Sequence, residues 1–147
     1  MAGIPPEDTV ATFPTGVART IILRHGAPDN TTFIELNFPA AAFDAPARPD
    51  SVRVTVHPRP GIYGVDITMS TEPTKGASIR FKYPIHFSAP VAALDKYGGT
   101  SRYEQVLRVV RQAGSSGYAL LVTERPSSDN LKAALQGSGV YLVAAPR

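Results

Sequence analysis

The chain has 147 residues, 43% of them hydrophobic, with 14 prolines, 12 glycines and no cysteine. That length suits one domain with a core that needs no staple, and the missing cysteines exclude disulfides and thiolate metal sites. The net charge of +3 is uneven: residues 1–50 carry 3 basic and 6 acidic side chains, and residues 51–112 carry 9 and 4, a bias that suits solvated strand and helix faces, or else a polyanion or an acidic protein surface as partner.

Residues 1–16 read as an extended lead, because Pro5, Pro6 and Pro14 oppose regular pairing while Ile4, Val10 and Phe13 pin the segment to the body. The start, MAGIPPEDTV, has neither the basic nor the apolar region of a signal peptide. Ala18–Arg24 is a predicted strand, Gly26–Asn30 a turn by composition, and Thr32–Phe38 the next strand, with Ile34, Leu36 and Phe38 facing inward. Pro39 then breaks the pattern, and the small residues after it deliver Phe43 to the core.

The stretch from Ser51 to Phe87 organises the chain. Val52, Val54 and Val56 alternate with Arg53, Thr55 and His57, and Ile79, Phe81 and Tyr83 alternate with Arg80 and Lys82. A period of two puts one set toward a core and the other toward water, as in half-buried antiparallel strands. Between them Ile62–Met69 is a further strand, although Ile62 falls on the parity opposite to Tyr63, Val65, Ile67 and Met69. Pro84 limits the Ala77–Tyr83 strand to an edge or to its own end.

After Phe87 the period changes. Val91 and Leu94 predict a short helical turn, closed by Gly98-Gly99. Ser101 and Glu104 form a capping box, and Tyr103, Val106, Leu107 and Val110 make one apolar stripe, so a helix is expected from Ser101 to the stop at Gly114. Tyr118–Glu124 is a strand with Tyr118, Leu120 and Val122 on one face. Ser127–Gln136 reads as a short helix with Leu131 and Leu135 four apart, and Gly139–Ala145 is the last strand, a mainly apolar run. No run of apolar residues is long enough to span a bilayer.

Three segments, FIELNFPAAAF (Phe33–Phe43), IRFKYPIHF (Ile79–Phe87) and GVYLVAAP (Gly139–Pro146), resemble an immunoglobulin-like β-sandwich. More narrowly, the chain resembles the domain shared by zonula occludens proteins, netrin receptors and ankyrins, in its bacterial form. The chain departs from that pattern where Ala40 and Ala41 follow Pro39 in place of the family's glycine. The resemblance implies an antiparallel sandwich of about seven strands over residues 17–147, here carrying a helical insertion at 89–136. It also implies scaffolding or protein interaction in a periplasmic or extracellular setting, with no catalytic residues and no cofactor to carry over.

The residues themselves offer several chemistries. His25, His57 and His86 each sit at or just after a strand end; they would make a zinc site, or with Asp66 or Glu35 an enzyme site, only if those ends converged. Ser115-Ser116-Gly117 and Ser127-Ser128-Asp129 supply hydroxyls without the strand–nucleophile–helix context of an elbow. Tyr97-Gly98-Gly99-Thr100-Ser101 opens a helix but lacks the P-loop lysine. Tyr63, Tyr83, Tyr97 and Tyr103 are the rings a carbohydrate or small-ligand platform would use.

A basic interaction face is expected from Arg53, Arg59, Arg80 and Lys82, with Tyr63 between them, but it has too few exposed aromatics to stack nucleic-acid bases. The expected function is a non-catalytic structural or protein-interaction module of a larger assembly, engaged through a strand edge or that basic face. The alternative is a ligand-binding sandwich.

Overall fold

The computed structural model describes residues 4–82 and 89–146. Among them the elements run β1 (Thr9–Pro14), β2 (Arg19–Arg24), β3 (Thr32–Phe38), β4 (Ser51–Pro58), β5 (Gly64–Met69), β6 (Ser78–Lys82), α1 (Val91–Tyr97), α2 (Thr100–Val106), β7 (Arg108–Ala113), β8 (Gly117–Leu120), β9 (Asn130–Ala134) and β10 (Gly139–Ala144). The strands form two antiparallel sheets, one ordered β1-β4-β5-β10-β7-β8 and the other β2-β3-β6-β9. The arrangement is consistent with a β-sandwich.

Alternation builds the core. Val52, Val54 and Val56 from β4, Ile34 and Leu36 from β3, and Ile79 and Phe81 from β6 are fully buried in one cluster fed by both sheets. Phe33 sits at its centre, edge-on to Tyr63 with ring centroids 4.9 Å apart. Phe43 reaches this core as expected and stacks on Phe38 at 5.6 Å. In β5 the parity resolves simply, because the strand starts at Gly64 and Ile62 lies outside it, exposed. The apolar run of β10 is explained by its place: it is an inner strand, paired to β5 on one side and β7 on the other.

Several expectations are corrected. Residues 9–14 are a strand, paired along β4 from Thr9 opposite Val56 to Pro14 opposite Ser51. Pro14 is tolerated because β1 lies at a sheet edge and the proline is its last residue. The helix expected from Ser101 stops at Val106, with Gly99 rather than Ser101 at its N-cap and no side-chain cap bond.

The stripe that suggested a longer helix was equally an alternation. Leu107 and Val109 join the inter-sheet core, Val110 does not, and β-branched valines favour the strand once β8 and β10 supply ladders. The guanidinium of Arg125 closes α2 by donating to the carbonyls of Glu104, Gln105 and Leu107.

The helix expected at 127–136 is β9. Leu131, Ala133 and Leu135 are all buried, a period of two that the four-residue spacing of the leucines concealed. The stretch 89–136 is therefore two short helices followed by three strands, not a helical insertion, and the described residues hold ten strands rather than about seven. The expected strand Ala77–Tyr83 and the IRFKYPIHF segment run past Lys82 into residues outside those described.

Candidate functional site

The expected basic face divides between the sheets. Arg53 belongs to the six-stranded sheet and Arg59 directly follows its strand β4, with Arg59 Nε 3.5 Å from Asp66 Oδ2. Arg80 and Lys82 belong to the four-stranded sheet, where a charged row crosses its outer face. Glu35 stands opposite Arg80 and Arg80 opposite Lys132, and Glu124 bridges to Lys132 at the edge. Tyr63 is only 5% exposed and donates its hydroxyl proton to the Lys82 carbonyl, so it holds the sheets together and presents no ring to solvent. Burial pushes its phenol far above the ordinary range.

The titratable groups are similarly dispersed. His25 is buried, its Nδ1 3.2 Å from the carbonyl of Ile4 and its ring edge-on to Phe33. His57 is exposed on the outer face of β4, 2.5 Å from Asp8 Oδ1 and directly opposite Asp66. This brings one histidine to one of the two carboxylates singled out, while Glu35 sits on the other sheet. His86 lies outside the described residues. The side chains of Asp8, His57 and Asp66 are all partly open to water. Among the described residues no cluster of three or more histidines and carboxylates is placed to hold a metal ion.

Ser127, Asp129 and Asn130 make a tight turn into β9. Ser127 Oγ donates to Asp129 Oδ1, and the Asn130 amide donates to both. The bond from Ser127 holds the Asp129 carboxyl below its usual range, with Lys82 adding to the effect. The hydroxyl cluster thus sets a turn.

Of the four tyrosines proposed for a ligand platform, Tyr63 and Tyr103 are buried, and Tyr97 is half-buried with its hydroxyl donating to the Pro146 carbonyl at 2.5 Å. Tyr83 lies outside the described residues. Gly98 and Gly99 both have positive φ, and the seven-residue α2 starts after them.

The feature that stands apart is β8. It is an edge strand, and its side chains Tyr118 and Leu120 are 53% and 66% exposed. The bond from Leu121 N–H to the Val109 carbonyl, 3.0 Å, fixes which residues point at β7. By antiparallel alternation, Tyr118 and Leu120 turn their own N–H and C=O groups to the open side.

Their side chains continue an apolar row across the outer face: Gly64 stands opposite Leu142, Leu142 opposite Val110, and Val110 opposite Leu120. Val110 is buried although it lies outside the inter-sheet core. Sequence reading placed Tyr118, Leu120 and Val122 on one face. It could not tell that, among the described residues, this strand would have a neighbour on one side only.

Compared with models of protein families, with curated proteins and with solved structures, the chain matches none. No helix among the described residues is long and apolar enough to cross a membrane.

Proposed function

We propose that this chain is a non-catalytic interaction module that joins a larger assembly by strand addition at the β8 edge. The observation that carries the reading is the pairing of free backbone groups with exposed Tyr118 and Leu120 on the same short strand. An open sheet edge supplies main-chain hydrogen bonds to an incoming strand, and alternate side chains supply selectivity. Soluble proteins ordinarily blunt such an edge with charge or proline. Here residues 114–123 carry no charge and no proline.

The resemblance to the zonula occludens, netrin receptor and ankyrin domain supports the same reading, and with it an immunoglobulin-like arrangement in an extracytoplasmic protein. The repeated crossing of the chain between the two sheets suits a Greek-key sandwich of that kind.

The test is the native mass of the chain in an extract of its source, by size-exclusion chromatography with crosslinking, for wild type and for Leu120→Lys. A native mass well above 15.7 kDa that falls to the free chain in the variant is the expected result. The same small mass for both would overturn the reading.

A further inference from the structure

We infer that the β8 edge is self-complementary and accepts β8 of a second copy of this chain, antiparallel, about a two-fold axis at Ala119. The inference rests on the edge-pairing reading above and names the occupant.

The four sheet edges differ. β1 ends in Pro14, which has no N–H to donate, and is preceded by Glu7 and Asp8. β2 begins and ends with arginine, Arg19 and Arg24, so an antiparallel self-pair would set like charges against each other. The β9 edge is already met by Glu124, whose backbone exchanges hydrogen bonds of 2.8 and 2.9 Å with Lys132. Among the described residues only β8 is both open and uncharged. The chain carries +3 overall, so two copies repel at a distance. The uncharged stretch 114–123 is where they meet with no opposed like charges.

The register follows from the ladder. The residues of β8 with outward-facing N–H and C=O groups are Tyr118 and Leu120. An axis at Ala119 is the two-fold register that matches both of them within the strand. Tyr118 of each copy then faces Leu120 of the other as a hydrogen-bonded pair, and Ala119 faces Ala119 as a close, non-hydrogen-bonded pair.

On the outer face, each aromatic ring covers the leucine opposite, a favourable cross-strand combination. The apolar row Leu142–Val110–Leu120 runs on into Tyr118 of the second copy. The small side chain of Ala119 leaves room at the axis. Two six-stranded sheets become one continuous sheet of twelve strands. An edge this short buries less than the roughly 800 Å² per partner of a standard interface, so the dimer is weak and builds with concentration.

The full chain answers the question without any variant. Light scattering over a wide concentration range is expected to show the mass rising from 15.7 kDa toward twice that value. Leu120→Lys sets a lysine against Tyr118 twice per dimer and is expected to weaken association roughly tenfold, with an unchanged circular dichroism spectrum as the fold control.

Because the chain has no cysteine, engineered thiols read the register. Ala119→Cys places two thiols at a non-hydrogen-bonded pair about 4.5 Å apart between α-carbons, and mild oxidation is expected to give a covalent dimer. Val122→Cys carries its thiol at a position that is 89% exposed but lies six residues along from its counterpart, about 20 Å away in an extended pair. It is expected to lag well behind.

A chain that stays at its monomer mass at every concentration overturns the proposal, as does equal crosslinking of the two thiols. If the chain alone is monomeric while the native complex is still lost in Leu120→Lys, self-pairing falls and the occupant is a strand of another protein. If that complex is insensitive to Leu120→Lys, the edge reading falls as well.

Discussion

Leu142 lies over the bare α-carbon of Gly64, its partner across the β5–β10 ladder. A Cβ added at Gly64 would fall 2.0 Å from Leu142 Cδ2 and 3.0 Å from the Tyr141 carbonyl oxygen. The glycine is required by the neighbour it supports. Gly64→Ala is expected to cost about 1–3 kcal/mol, read as a lower urea midpoint. Leu142→Ala in the same chain should recover part of that loss, giving a coupling in a double-mutant cycle. Strict additivity of the two changes would show that the close approach carries no energy.

Tyr141 is a second fixed point. Its hydroxyl accepts from the Gln136 N–H at 3.0 Å and donates to the Gly137 carbonyl at 2.9 Å, closing the loop between β9 and β10. Tyr141→Phe leaves both backbone groups unpaired in a buried setting and is expected to cost about 1–3 kcal/mol. Tyr118→Phe, on an exposed ring, should change stability by less than about 0.5 kcal/mol. Chemical denaturation of the two variants side by side decides it, and equal effects would count against the loop-closing role.

Alkaline pH should unfold the protein through its buried phenols. Burial raises the Tyr63 phenol, and burial also raises Tyr141 despite the nearby Arg111. In the unfolded chain a tyrosine ionises near pH 10. A folded-state pKa above the unfolded one means the contribution is complete below about pH 10 and is lost as pH rises beyond it. Tyr63 alone predicts a decline of about 1.4 kcal/mol per pH unit there. Urea midpoints that stay flat from about pH 9 to about pH 11 would contradict it, and Tyr63→Phe should flatten the slope.

Arg125 ends α2 by reaching back to three carbonyls, those of Glu104, Gln105 and Leu107. Arg125→Ala is expected to cost about 1–3 kcal/mol. All three bonds come from one guanidinium nitrogen, Nη2, and an ammonium also has three donors. Arg125→Lys should therefore fall between, its loss set by the stronger hydration of the ammonium. Faster amide exchange at Leu107, whose N–H bonds the Glu104 carbonyl, would report the loosened end. No change in the alanine variant would show that the helix end holds without it.

In the first half of the fold β2, β3 and β4 were legible because they alternate, whereas β1 was missed because its prolines read as opposing pairing. β3 and β4 show strict alternation, and their starts at Thr32 and Ser51 could be read directly. The second half failed where two periods coincide. Tyr103, Val106, Leu107 and Val110 satisfy a helical stripe, yet Leu107 and Val109 also alternate with Arg108 and Val110, and only the ladders from β8 and β10 decide between them. Leu131 and Leu135 posed the same ambiguity.

The candidate site was harder still. Arg53 and Arg80 look equivalent along the chain because both are outward residues of alternating strands. Which sheet each strand joins depends on pairings tens of residues away. The exposure of Tyr118 and Leu120 has the same origin, since it follows from the place of β8 at the edge of its sheet among the described residues rather than from the strand's own composition.

The position of β10 bears on how the molecule assembles. It stands between β5 and β7, so β1-β4-β5 and β7-β8 are separate ribbons until residues 139–144 arrive. Its partners in β5 lie more than seventy residues earlier in the chain. Pairing over such a separation carries a large loop-closure cost and slows folding. During synthesis the six-stranded sheet cannot close until its central strand has left the ribosome. Until then the flanks that β5 and β7 will present to β10 are two further open edges, and this is the interval in which the chain is most exposed to mispairing.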